Sequence, residues 1–238
     1  MKFEKPLIEG TLIKRYNRFF ADVTLTDGKV VTAHCANSGS MLSVKEPGSR
    51  VWLTPVDNPE RKLKFTWEFI EIGGGLVGIN TAYPNRLVAE AIAAGEIKSL
   101  KGYASLKREQ KYGKNSRIDI LLEDPKKPPC YVEVKNVTMK RELGPKGRAE
   151  FPDSVTERGT KHLNELAEVV KSGGRAVMFY LVQRTDSKTF GLAADIDPDY
   201  AKAFEKAMKT GVEALCYGCE MTTDSITIGK PLTMDLPG

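Results

Sequence analysis

Two carboxylates and an amine stand at a spacing that can do chemistry: Asp119, thirteen intervening residues, then Glu133-Val134-Lys135. They fall in two β-like runs, Arg117-Ile118-Asp119-Ile120-Leu121 and Tyr131-Val132-Glu133-Val134-Lys135, joined by the Pro-rich turn Asp124–Pro129. Facing residues of an antiparallel pair keep a constant index sum, and a turn centred near position 126 sets that sum at about 252. This register puts Ile118 opposite Val134 and Ile120 opposite Val132 on one face. Asp119 then faces Glu133, with Arg117 near Lys135, on the other. A slip of one residue would mix apolar and charged side chains on both faces, so the apolar pairs support the register independently of the charged ones.

Two carboxylates about 5 Å apart repel by about 3 kcal/mol at an effective dielectric near 20, so the pair calls for a cation. A shared hard divalent ion, Mg²⁺ or Mn²⁺, with Asp119 and Glu133 as its ligands, would supply one. Lys135, two residues from Glu133 and on the same strand face, could orient or deprotonate a water and stabilise a phosphate in flight. The plainer reading of E-x-K is a wet strand face of alternating charge. Glu90 is a further catalytic candidate, since cores of this type often carry an acid on their leading helix; a solvated helix face is its other reading. Gln183 and Arg184 end a buried strand from which side chains can reach the same place.

These residues need elements to hold them. Residues 7–80 are punctuated as short strands at Phe20–Thr26, Lys29–Cys35, Arg50–Val56, Lys62–Ile72 and Leu76–Asn80, with Asp27-Gly28 as a hairpin turn. About five strands in this length predict a closed barrel of the OB type. From Asn85 the period becomes helical, with Asn85 as cap and Gly95 as stop. Strands at Gly102–Lys107, Arg117–Glu123 and Tyr131–Met139 follow, then a Gly- and Pro-bearing loop and a helix over Val155–Lys171. Next come the wholly apolar strand Ala176–Val182, a helix over Asp199–Thr210, and edge strands at Val212–Tyr217 and Ser225–Ile228. The order α-β-β-β-α-β is that of a metal-dependent nuclease core with its carboxylates on the second and third strands. The fold class expected is therefore a two-domain α+β protein: residues 1–82 an OB-like five-stranded barrel, residues 83–238 a mixed sheet flanked by helices.

Composition narrows the partners. The chain has 238 residues, 41% hydrophobic and 28% charged, and its longest apolar run, Ala176–Val182, is far too short to cross a bilayer. No signal or transit pattern opens it, which points to a cytoplasmic address without membrane contact. Four cysteines are too few for a disulfide framework and read as reduced thiols. Cys216 and Cys219 make only half of a zinc ribbon. Two histidines leave little material for histidine-based chemistry.

Thirty-six basic against 31 acidic residues give +5, an excess spread along the chain, so a DNA surface has to come from local clusters that the fold positions. Lys14, Arg15, Tyr16, Arg18 and Phe19 interleave cations for phosphates with rings for bases. Their other reading is a strand with one wet face. Lys140 and Arg141, followed by Lys146-Gly147-Arg148, stand beside the E-x-K strand. Arg158 and Lys161 flank His162 on a helix face that could meet phosphate or simply be solvated.

The chain resembles the sugar fermentation stimulation protein family nearly end to end. The resemblance runs through Arg15-Tyr16, Arg18-Phe19, His34-Cys35, Gly39-Ser40-Met41 and Thr66-Trp67-Glu68. It continues through Gly78-Ile79-Asn80-Thr81, Pro84-Asn85-Arg86-Leu87, Tyr112-Gly113 and Ser116-Arg117-Ile118-Asp119. The remaining stretches are Tyr131–Lys135, Phe151-Pro152-Asp153, Arg158-Gly159, Lys161-His162-Leu163 and Ile196-Asp197-Pro198. Ala36, Ser38 and Gly191-Leu192 depart from the family pattern. The resemblance implies an OB-like domain, a PD-(D/E)xK nuclease-like domain, sequence-nonspecific DNA binding and a link to sugar, especially maltose, utilisation. It carries Asp119, Glu133 and Lys135 over as metal ligands and catalytic lysine. The expected function is DNA binding with a Mg²⁺- or Mn²⁺-dependent phosphodiesterase site; the alternative is a noncatalytic DNA-binding regulator of sugar metabolism.

Overall fold

The computed structural model describes residues 1–113, 116–143 and 147–236. Six strands come first: β1 (Ile8–Tyr16), β2 (Phe20–Leu25), β3 (Val30–Cys35), β4 (Arg50–Pro55), β5 (Phe65–Ile72) and β6 (Gly75–Gly78). They pair in the order β3-β2-β1-β4-β5-β6, and a parallel contact of β3 with β5 closes the first five into a barrel. Alternate residues of these strands point inward, and Leu12, Val23, Leu53, Trp67 and Ile70 fill the interior. The Gly73-Gly74 turn between β5 and β6 has both residues at positive φ, 62° and 79°, conformations that glycine adopts without strain.

The second part runs α1 (Pro84–Ala93), β7 (Ser105–Tyr112), β8 (Ser116–Asp124), β9 (Lys127–Val137), β10 (Ala149–Phe151), α2 (Glu157–Lys171) and β11 (Arg175–Val182). It ends with β12 (Thr189–Leu192), α3 (Pro198–Thr210), β13 (Glu213–Met221), β14 (Ile226–Pro231) and β15 (Thr233–Asp235). The main sheet has the order β14-β13-β11-β9-β8-β7, with β9-β11-β13 parallel and the rest antiparallel. β10, β12 and β15 form a small separate sheet. One face of the main sheet packs on α1 through Val132, Val134, Phe179 and Leu181. The other packs on α2 and α3 through Leu163, Leu166, Met178 and Tyr180. β11, covered on both faces, is apolar from Ala176 to Val182, as a central parallel strand must be.

Capping explains where the helices begin. The Asp197 carboxylate accepts from Tyr200 N at 2.9 Å, capping α3, and from Thr156 N at 2.7 Å, which ties the start of α2 to the start of α3. Thr156 caps α2 by accepting from Gly159 N at 3.1 Å.

Three expectations are corrected here. The strand expected at Val212–Tyr217 runs to Met221 and is internal, because Cys219 and Met221 pack against α1 and β14 takes the edge. Asn85 is not the cap of α1: Tyr83 holds that position without a side-chain bond, and Pro84 starts the helix. Gln183 and Arg184 do not reach the carboxylates. Gln183 donates to Asn136 Oδ1, and Arg184 is buried against Asp186 and the Thr138 carbonyl. Their backbone meets the barrel instead: Gly78 N donates to Gln183 O at 2.9 Å and Thr185 N to Leu76 O at 3.1 Å, so β6 docks against the end of β11.

Candidate active site

β8 and β9 pair as Ile120↔Val132, Leu121↔Tyr131 and Leu122↔Cys130, the index sum of the sequence reading. The ladder stops at Ile120. Beyond it the Asp119 side chain takes over, its Oδ2 accepting from Val134 N at 2.7 Å. Ile118 therefore leaves the face it was expected to share with Ile120: Ile120 packs toward α1, whereas Ile118 packs toward α2. The chain next to Asp119 is irregular as well, with Glu109 on β7 at φ 53°. The strands part where the carboxylates are, and that opening is what lets side chains from both helices in.

Asn85, in the first turn of α1, donates to Asp119 Oδ1 at 2.6 Å. From the other face, His162 on α2 bonds Glu133 Oε1 through Nδ1. Lys135 Nζ donates to the same oxygen at 2.7 Å and stands 3.3 Å from His162 Nδ1. Arg158 Nε donates to His162 Nε2 at 3.4 Å, which leaves the ring proton on Nδ1 for Glu133. Glu133 is 3% exposed and His162 3%. Glu133 Oε2 is buried and accepts no hydrogen bond among the described residues.

The electrostatics follow from this geometry. Burial, and next the charge of Glu133, push the Asp119 carboxyl up to about 6. Burial also works against ionisation of Glu133, but the His162 hydrogen bond and the Lys135 charge outweigh it and hold its carboxyl below the usual range. Burial and the charges of Glu133, Glu165 and Asp119 raise the Tyr112 phenol, so Tyr112 stands within the field of all three acids.

The donor set fits a hard divalent cation. Glu133 Oε2 is a buried oxygen with no partner, and each Asp119 oxygen keeps a lone pair beyond the hydrogen bond it accepts. The amine of Lys135 sits beside them.

Other sequence candidates go elsewhere. Glu90 is bonded to Arg86 at 2.6 Å and pairs with the Met1 amino group at 3.6 Å, outside this cluster. Lys140 is 1% exposed and donates to Asp186 O at 2.7 Å, with the Asp186 carboxylate 3.3 Å away, so it offers no charge to DNA. Arg141 is clamped by Glu150, at 2.8 and 2.7 Å, and by Asp195. Lys146 lies outside the described residues. Lys161 is on α2, 3.8 Å from Glu165, and Arg158 is at the rim of the cluster.

On the barrel, Arg15 serves structure: its Nη2 donates to the carbonyls of Arg18, Asn37 and Gly39. Tyr16 bonds Asp22 at 3.1 Å and stacks on Phe20; Lys14 lies 5.3 Å over its ring. Arg18 and Phe19 are exposed at the tip of the β1–β2 hairpin, with Phe19 stacked on His34. Asn17 and Arg18 both take positive φ there, 47° and 62°.

The sequence reading missed Asn85 as an Asp119 partner, Tyr112 and Glu165. The inward aim of His162 was legible: it lies four residues before Leu166 and so on the buried stripe of α2.

The fold and site define a protein with a closed OB barrel followed by a mixed-sheet α/β domain, which carries an acid pair and a lysine where two strands part. Residues 13–79 match the SfsA N-terminal OB domain, and residues 82–225 match the sugar fermentation stimulation protein RE domain. The chain belongs to the sugar fermentation stimulation protein family. It is 59% identical over 236 residues to the sugar fermentation stimulation protein homolog of Paramagnetospirillum magneticum, covering 99% of this chain and 98% of the relative. The homolog of Rhodospirillum rubrum is 60% identical over 228 residues, 93% of each chain. Pyrococcus furiosus SfsA, solved in complex with Ca²⁺, superimposes with a TM-score of 0.85 at 25% identity, covering 99% of this chain and 98% of that one. Among the described residues no helix is long and apolar enough to cross a membrane.

Proposed function

We propose that this chain binds DNA without sequence preference and cleaves its phosphodiester bonds with a divalent metal, Mg²⁺ or Mn²⁺, held by Asp119 and Glu133. One observation carries the reading: Glu133 presents a buried, unpartnered Oε2 beside Asp119, while its Oε1 holds the Lys135 amine at 2.7 Å. The solution of the Pyrococcus furiosus relative with Ca²⁺, another hard oxygen-seeking cation, supports it. The bound metal would polarise the phosphate and lower the pKa of a coordinated water. His162 and Lys135 fix the Glu133 carboxylate by occupying Oε1, leaving Oε2 to face the metal. Asn85 and the Val134 N–H hold Asp119 in the same way. Lys135 orients the attacking water and offsets charge on the phosphate as the new P–O bond forms and the old one breaks. The exposed Arg18 and Phe19 would meet the DNA backbone from the barrel.

A second reading is a noncatalytic regulator of sugar metabolism that uses this domain only to hold DNA. It is favoured by the Lys135 amine, which offsets the charge of Glu133 within the chain, and by the His162 hydrogen bond to the same carboxylate, which together give a settled site without metal. Plasmid incubated with Mn²⁺ separates the two. Wild-type protein is expected to nick it and to lose that activity in EDTA, whereas Lys135→Ala and Asp119→Asn leave it intact. Equal nicking by all three proteins, or by none, removes the catalytic claim. Salt-sensitive binding without a product then favours the regulator.

A further inference from the structure

Beside the acid cluster runs a groove of about 950 Å³ between α2 and the strands β7 and β9. Its lining is mostly apolar, and the Tyr112 and Tyr131 rings form part of it with centroids 5.7 Å apart and planes tilted by 38°. Tyr131 is half-buried. Tyr131, Glu133 and Lys135 alternate along one side of β9, so a ring, a metal-facing carboxylate and an amine follow each other at steps of ~7 Å, close to one extended nucleotide. Lysines stand on both rims, Lys111 on β7 and Lys161, Lys171 and Lys206 on the helices. Of the three glutamates that also line it, Glu165 faces Lys161 and Glu168 faces Lys171, while Glu157 sits in the first turn of α2. Lys111 and Lys206 are in no ion pair among the described residues and remain for phosphates.

We propose that this groove takes an unpaired DNA strand, with the base next to the scissile phosphate stacked on Tyr131. The proposal rests on the nucleolytic reading above and names its substrate class. A duplex keeps its base faces stacked against each other and has none to give a tyrosine, whereas a single strand exposes them, and stacking on an aromatic side chain serves any base. The groove neighbours the site through β9: Tyr131, which lines it, lies two residues before Glu133 and so on the same side of the strand. Phosphates running between the lysine rims would carry each base over an apolar floor and bring the next phosphodiester to Glu133.

The test is fluorescence anisotropy with a short labelled oligodeoxynucleotide, alone and annealed to its complement, in EDTA so that no cleavage competes. Wild-type protein should bind the strand more tightly than the duplex. Tyr131→Ala should weaken strand binding about 5- to 150-fold, the range that stacking of one base supplies, and leave duplex binding unchanged. Tyr131→Phe should bind as wild type. Lys111→Ala, on an exposed rim where folding is not at stake, should lower the salt slope for the strand by about 0.7. Equal affinity for strand and duplex, an unchanged strand affinity in Tyr131→Ala, or an unchanged slope in Lys111→Ala overturns the proposal. A strand preference in a protein that never cleaves in Mn²⁺ sinks the hydrolytic reading and keeps the groove. Cleavage without a strand preference does the reverse.

Discussion

Asn85 Nδ2 donates to Asp119 Oδ1 at 2.6 Å, joining the first turn of α1 to the point where β8 leaves its ladder with β9. The bond gives Asp119 a fixed orientation from the α1 side, while His162 fixes Glu133 from the α2 side. The acid pair is thus held by both layers of helix, and its properties depend on the assembled fold.

The raised Asp119 carboxyl makes stability depend on pH. An acid that protonates at about 6 when folded and at 3.8 otherwise binds its proton more tightly in the native state. Its contribution is fully present below 3.8 and is lost as pH climbs to about 6, a change on the order of 3 kcal/mol. Melting temperature in EDTA should therefore fall for wild type relative to Asp119→Asn across that window. Parallel curves for the two proteins would show that Asp119 is not perturbed.

His162 is a positioning residue for Glu133. His162→Ala should lower stability by about 2–4 kcal/mol in urea titrations, from the lost hydrogen bond to a buried charge and the space left behind. It should also let the Glu133 carboxyl rise, since the bond to the charged form is gone, so Mn²⁺ binding should begin at higher pH. A variant that is merely less stable, with an unchanged pH profile for Mn²⁺, would confine His162 to packing.

Arg15 and Arg18 should separate structure from binding. Arg15→Ala releases three carbonyls and should cost about 1–3 kcal/mol of barrel stability. Arg18→Ala, exposed at the hairpin tip, should change stability by less than about 0.5 kcal/mol while lowering the salt slope of duplex binding by about 0.9. Melting curves and binding at several salt concentrations read both effects.

Lys140→Ala should behave as a core lesion. It leaves Asp186 with one buried cationic partner, Arg184, in place of two, and should destabilise by about 3–5 kcal/mol. A normal melt together with weakened DNA binding would instead return Lys140 to the surface.

Local pattern was enough for much of this molecule. The strand punctuation of residues 7–80 predicts a small barrel, since short alternating runs with tight turns have few ways to bury their inner faces. The five strands that close it are not the five expected, because Ile8–Tyr16 is a barrel strand and the expected run Leu76–Asn80 pairs on β5 outside the closure. The index sum across Asp124–Pro129 predicts the pairing of Ile120 with Val132, because period-two alternation punishes a slip at every residue. Neither rule says where the ladder ends, and it ends at Asp119 because a side chain replaces a backbone acceptor there.

Charge was the least legible quantity. Lys140, Arg141 and Arg15 read as surface cations, and each is bound within the fold by partners as far as 46, 54 and 24 residues away. Sequence by itself determined most of the elements, their order and the placing of Glu133 and Lys135 on one side of β9, because these follow from interactions between near neighbours. Only the tertiary structure decided which cations are bound within the fold, that Asn85 and His162 serve the acids, and that a groove floored by Tyr112 and Tyr131 lies along β7, β9 and α2. Those depend on which distant side chain completes each buried group's hydrogen bonds, and periodicity carries no record of that.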